Sequence, residues 1–194
     1  MTIAVRETAY TPNDLLSLTD GERFELINGR LVERNMGMES VGIATQIIGL
    51  LWLFLRDNPS GHLFNAEASY ACFPEDPNHA RRPDGSFIRF GRLPREQRPK
   101  GHCPIPPDLA IEVVSPNDTA EAVSTKVAEF QSVGVPLIWV VYSASRRVLV
   151  HRLRSSPDQR ISELTDADTI SGEDVLPGFS CAIAEFFRTP SPPT

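Results

Sequence analysis

The chain reads as one α/β domain with a mixed central β-sheet flanked by helices, and three observations predict it. Two continuous apolar runs, Leu109–Val114 and Leu137–Tyr142, have the character of strands buried on both faces. A helical stretch lies between them, and strand–helix–strand in that order implies a right-handed parallel crossover. Antiparallel pairing enters where Val148–Arg152 folds back across Ser143–Arg147, and in an N-terminal hairpin around Asn28-Gly29. Asn-Gly between two short strands is a strong hairpin signal, because a type I′ turn needs positive φ at both central residues.

In order, Thr11-Pro12-Asn13-Asp14 opens a first helix, with proline near its first position. Phe24–Ile27 and Arg30–Arg34 form the hairpin. Ser40–Arg56 is a long helix closed by Asn58-Pro59-Ser60-Gly61. Its apolar residues occupy nearly every face, so it is either buried on several sides or half covered by a partner chain. Strands follow at His62–Ala66, Ser69–Phe73 and Gly85–Phe90. Gly91–Pro107 is polar, proline-rich and without pattern, and a loop of that length inside a domain is often functional. Ser115-Pro116-Asn117-Asp118 ends the Leu109–Val114 strand, and Asp118 with Glu121 makes a capping box. Val123, Val127 and Phe130 share one face of the helix that follows, and Gly134 ends it. Short strands and a last helix at Ile183–Phe187 complete a domain over residues 1–188, with a Pro/Ser-rich tail at 189–194.

Of the 194 residues 41% are hydrophobic and 23% charged, which suits a packed core and excludes wholesale disorder. A net charge of −6 argues against non-specific coating of nucleic acid, which lives on phosphate neutralisation. Met1–Tyr10 has no apolar signal-peptide core, and Cys72, Cys103 and Cys181 have neither zinc nor disulfide-framework spacing. A reduced, cytoplasmic protein is the expectation. Val41–Leu55 is too short to span a bilayer. No GxSxG, P-loop or GxGxxG is present.

Glu112 is the most informative residue: it places a carboxylate inside Leu-Ala-Ile-Glu-Val-Val. An unpaired buried charge costs several kcal/mol, so Glu112 needs a cation, a metal or a proton unless the strand is at an edge. Asp84 opens the Gly85–Phe90 strand after Arg82-Pro83. Two carboxylates on neighbouring strands can hold Mg²⁺ or Mn²⁺, hard cations that take oxygen ligands. Asp108 is a further acid at a strand opening, equally explained as a turn residue. Lys126 stands out because the chain has 17 Arg and only two Lys. A compact ammonium can polarise a water or stabilise a developing oxyanion where guanidinium does not. On the helix it lies about 60° from Val123 and about 40° from Phe130, flanking the apolar face. Residues 81–100 carry a charge of +5, leaving −11 elsewhere. Arg89, Arg92, Arg95 and Arg98 would form a cationic flap suited to a phosphodiester. Glu25 is either an outward strand residue or an accessory acid. His62, His79, His102 and His151 share no ligand spacing, and Ser115 reads as turn chemistry.

Phe-Glu-Leu-Ile-Asn-Gly-Arg-Leu (24–31), Arg-Pro-Asp (82–84), Pro-Pro-Asp-Leu-Ala-Ile-Glu-Val-Val-Ser-Pro (106–116), Lys126, Gly-Val-Pro-Leu-Ile-Trp-Val-Val (134–141) and Leu-Pro-Gly (176–178) resemble the Uma2 family (DUF820) of restriction endonuclease-like proteins. The resemblance runs in order from about residue 11 to 187. It implies the PD-(D/E)XK nuclease-like fold, with Asp84 and Glu112 as metal-binding acids, Glu25 as an additional acid and Mg²⁺ or Mn²⁺ as cofactor. The superfamily's lysine two residues after the acid is Val114 here, which points to Lys126 on the following helix. Many relatives carry a histidine at the start of the long helix, where this chain has Glu39-Ser40. The function expected is metal-dependent hydrolysis of phosphodiester bonds in DNA, with Lys126 positioning or activating a water and the protein acting as a homodimer through the long helix. A non-catalytic nucleic-acid or protein-binding module that keeps the fold is the alternative, and a hydrolase of another phosphoester a third reading.

Overall fold

The computed structural model describes residues 9–34, 37–153 and 160–189. The tail expected at 189–194 lies outside them except for Thr189. Helix α1 (Pro12–Ser17) opens on a capping box, with the Thr11 hydroxyl accepting from the Asp14 N–H and the Asp14 carboxylate accepting from the Thr11 N–H. Strands β1 (Phe24–Ile27) and β2 (Arg30–Glu33) form the hairpin, with both Asn28 and Gly29 at positive φ. Helix α2 (Met38–Asp57) follows. A six-stranded sheet is built from β3 (Gly61–Asn65), β4 (Gly85–Arg89), β5 (Leu109–Val114), β6 (Leu137–Tyr142), β7 (Arg147–Arg152) and β8 (Ile161–Leu164), in that spatial order. Only β5 and β6 pair in parallel, joined through helix α3 (Ala120–Ser132), and every other pairing is antiparallel. The sheet is therefore mixed. A second hairpin, β9 (Thr169–Gly172) with β10 (Leu176–Ala182), and a 3₁₀ segment at Ile183–Phe187 complete the chain.

Strand alternation decides which helix meets which side chain. Leu109, Ile111 and Val113, with Leu137, Trp139 and Val141, face α2. They pack there with Ile43, Ile47, Leu51, Phe179 and Phe186, and Trp139 stacks 5.9 Å from Phe179. Ala110, Ile138 and Val140 face α3 and pack on Val127 and Phe130. Glu112 belongs to this second set. Its carboxylate is aimed at α3, not at solvent, and β5 is an inner strand.

Four expectations need correction. Ser69–Phe73 is not a ladder strand: only Tyr70 is bridged, once to Arg81 and once to Cys103. The cap of α3 is Thr119, whose hydroxyl accepts from the Ala122 N–H, while Asp118 accepts from the Ser115 N–H and holds the preceding turn. The last helix is a 3₁₀ segment. Helix α2 is long and apolar enough to cross a membrane by composition, with mean hydropathy 1.6, yet it is buried on one side only. Val41, Trp52 and Leu53 point outward, Trp52 at 57% exposure.

Candidate active site

Four segments converge beside the α3 face of the sheet. The β1–β2 hairpin is tied to residues 80–82 by reciprocal Leu26–Ala80 backbone bonds of 2.9 and 2.8 Å, which brings Glu25 over the start of β4. Asp84 extends the β4–β5 pairing: its N–H donates to the Ile111 carbonyl, and its Oδ2 accepts from the Val113 N–H at 2.8 Å. Glu112 comes from β5, and Lys126 from one turn N-terminal to Phe130 on α3. The long lysine stem crosses the apolar face of the helix and delivers its amine to the acids.

Lys126 Nζ donates to Glu112 Oε2 at 2.8 Å, to Glu25 Oε1 at 3.0 Å and to the Arg82 carbonyl at 3.0 Å. All three of its donors are engaged. Burial disfavours its charge, but Glu112, Glu25 and Asp84 outweigh that and raise its pKa above the ordinary lysine value. Lys126 is thus held as a cation by the acids around it.

The three acids differ. Burial works to raise Glu25, but Lys126, Arg81 and the Arg82 N–H hold it down at about 2. Its carboxylate also pairs with Arg81 at 2.8 Å, so the outward-facing alternative for Glu25 is overturned. Asp84 is raised by burial, with Lys126, the Val113 N–H and Arg34 opposing. Burial pushes Glu112 up to about 8; Lys126 opposes this, and the charges of Asp84 and Glu25 add to it. Glu112 Oε1 is buried and has no hydrogen-bond partner. An orphaned carboxylate oxygen of this kind is open to an incoming cation or proton. With Asp84 alongside, the donor set is all hard oxygen, which fits Mg²⁺ or Mn²⁺. No cluster of three His, Cys, Asp or Glu side chains forms a metal cage among the described residues. A magnesium ion commonly binds through one or two carboxylates and completes its shell with water and substrate phosphate, so two acids suffice.

The acids line a cavity of about 380 Å³ that extends past Asn117 and Thr119 toward the start of α3. Ser40 lies on its wall, with its hydroxyl buried and unpartnered. None of the four histidines lines this cavity. His62 pairs with Glu96, His102 bridges Ser69 and the Pro12 carbonyl, and His79 lies beside Asp76 and Glu129.

The cationic loop is elsewhere. Strand β4 starts at Asp84 and delivers Arg89 to its far end, five residues and about 17 Å away. There Arg89 and Arg92 each pair with Asp108 at 2.9 Å. Arg98 stacks over Phe64, 5.8 Å from the ring centre, and Arg95 lies in the 3₁₀ turn Pro94–Glu96. The expectation of an arginine flap beside the acids is therefore corrected for Arg89 and Arg92, while Phe64, under Arg98, is the strand partner of Ser86. Asp108 is an anchor for Arg89 and Arg92, not a metal ligand beside Asp84. Besides Lys126, the cations at the site are arginines outside the 89–98 set. Arg34, at the end of the hairpin, donates to Asp84 Oδ1 at 3.2 Å and to the Ala66 carbonyl at 2.9 Å. Arg81 bridges Glu25 and Glu129, and Arg82 binds the Phe24, Glu67 and Gly21 carbonyls. Arg81 and Arg82 had counted toward the basic loop, and only their position two and three residues before Asp84 hinted otherwise.

A family model for Uma2, described as "Putative restriction endonuclease", matches residues 12–184. Among solved structures, a crystal structure of "a putative nuclease belonging to DUF820" from Anabaena variabilis ATCC 29413 matches with TM-score 0.73. The two chains are 18% identical, over 91% of this chain and 97% of that one. A search of curated proteins finds no match.

Proposed function

The chain belongs to the Uma2 family, and we propose that it is a divalent-metal-dependent endonuclease hydrolysing phosphodiester bonds in DNA. One observation carries the proposal: the buried, unpartnered Glu112 Oε1 beside Asp84, with a fully engaged lysine behind it. The family's description as a restriction endonuclease and the shared fold support the substrate class.

Asp84 and Glu112 would hold Mg²⁺ or Mn²⁺. A metal bound there would lower the pKa of a water and offset charge at the scissile phosphate. The protein's own contribution is preorganisation. The Val113 N–H fixes Asp84 Oδ2 and leaves Oδ1 to Arg34, a contact a cation can replace. Glu112, protonated below about 8, releases its proton to bind a cation. Lys126 keeps a positive charge within reach of both acids and of negative charge developing at phosphate. Glu25 holds Lys126 in place and is itself held by Arg81, so it acts as a positioning residue. Ionised down to about 2, it anchors the lysine through the neutral pH range.

The outward apolar residues Trp52 and Leu53 of α2 support a homodimer, and the free thiols of Cys72, Cys103 and Cys181 suit the cytoplasm. The test is cleavage of a plasmid with Mg²⁺ or Mn²⁺ by the wild type and Glu112→Gln. Metal-dependent cleavage lost in the folded variant is the expected result. Full activity in Glu112→Gln would sink the assignment, and an inert wild type that binds no metal would bring the non-catalytic module forward.

A further inference from the structure

A second cavity, of about 660 Å³, lies on the other side of the Arg34–Asp84 pair. The two cavities share those residues as a common wall, so Arg34 is the partition between them. Each has the size of a small-molecule site, between about 300 and 1,000 Å³. The second is walled by Val41, Ala44 and Ile48 of α2 and edged by Asn65 at the end of β3. An apolar wall with one amide at its rim suits the face and edge of a nucleobase. The charged residues around it, Glu22, Arg23, Arg34, Glu67 and Asp84, are mixed and not basic. A groove tracking duplex phosphates needs a row of cations, and Arg89 and Arg92 are held by Asp108 at the far end of β4.

We propose that the two cavities receive the nucleotides on either side of the scissile phosphate of an unpaired strand, with Arg34 holding that phosphate between them. This rests on placing the scissile phosphate at Asp84 and Glu112. Binding exchanges the Arg34–Asp84 contact for an Arg34–phosphate contact, freeing Asp84 Oδ1. Guanidinium suits that exchange, because it meets phosphate oxygens through two parallel donors. Bases seated on opposite sides of the Arg34–Asp84 pair cannot stay stacked on one another, so a single strand, a frayed end or a mismatch binds without the unpairing cost of a perfect duplex.

The experiment measures fluorescence anisotropy of labelled oligonucleotides with Glu112→Gln, which cannot cleave, comparing a single strand with the same sequence as a blunt duplex. Single-strand binding at least about tenfold tighter is expected, the size of one base-stacking contribution. Thr45→Trp, added to that background, fills the second cavity from an exposed position on α2. It should remove the preference and leave thermal stability unchanged. Arg34→Gln should weaken single-strand binding by about tenfold. Equal affinity for duplex and single strand, no binding of either, or a preference untouched by Thr45→Trp would overturn the proposal. A metal-dependent nuclease that prefers duplexes sinks this inference alone. Single-strand binding by a protein that binds no metal sinks the catalytic reading alone.

Discussion

Replacing Lys126 with Met removes a cation from between two buried carboxylates and leaves a similar apolar stem. Lys126 contacts Glu112 at 2.8 Å, Glu25 at 3.0 Å and the Arg82 carbonyl at 3.0 Å. Breaking a buried ion pair from one side costs about 3–5 kcal/mol, because the other charge stays buried. Two features put this case near the lower bound. Glu25 keeps Arg81 and the Arg82 N–H. Glu112 loses the lysine that holds it down against burial, so in the variant it stays protonated instead of remaining a bare charge. The expected loss is about 3 kcal/mol, which for a domain of this size lowers Tm by about 6–12 °C. Scanning calorimetry at neutral pH, checked by urea unfolding, measures it. In a Glu112→Gln background the same substitution should cost less, since one of the two carboxylates is gone. A loss below about 1 kcal/mol, the scale of an exposed pair, would refute the view that Lys126 is the keystone of a buried network.

Glu25 contributes stability of the depressed-carboxylate kind. Its pKa is about 2 folded against an ordinary 4.5, so that contribution is present above 4.5 and lost as pH falls toward 2. Glu25→Gln should flatten the acid limb of the Tm-against-pH curve, and an unchanged limb would contradict the assignment. Trp52→Asp should convert a dimer into a monomer by light scattering if α2 carries the contact, whereas a wild type already monomeric at micromolar concentration removes the dimer. Replacing Arg89 with Gln should leave single-turnover cleavage within about threefold, less than 1 kcal/mol, because Arg89 lies a full strand length from Asp84 and Arg92 still pairs with Asp108. A hundredfold loss would restore Arg89 to the site.

Glu112, Asp84 and Lys126 were legible in the sequence for one physical reason each: a charge inside an apolar run, an acid opening the neighbouring strand, and a lysine in a chain that otherwise uses arginine. Strand alternation then placed Glu112 and Lys126 on the same side of the sheet. Glu25 could not be assigned to inside or outside, because a short hairpin strand shows its core face only once its docking partner, residues 80–82, is known. Arg34 and Arg81 escaped notice because their partners are 50 and 56 residues away in the chain. The misplacement of the arginine loop was avoidable. Strand length alone separates Arg89 from Asp84, and Asp108 then fixes Arg89 and Arg92 at that far end. Ser69–Phe73 has strand composition but divides its bonding between Arg81 and Cys103, one residue each, so no ladder forms. Thr119 prevails over Asp118 as helix cap because Asp118 is already committed to the Ser115 N–H.

The most direct test of the central claim is calorimetric titration of Mn²⁺ into the wild type and Glu112→Gln, above and below the Glu112 value of about 8. Wild-type binding should tighten as pH rises, with a proton released on binding below that value, and the variant should not bind. Equal binding by both proteins, or wild-type binding indifferent to pH across that value, would contradict it.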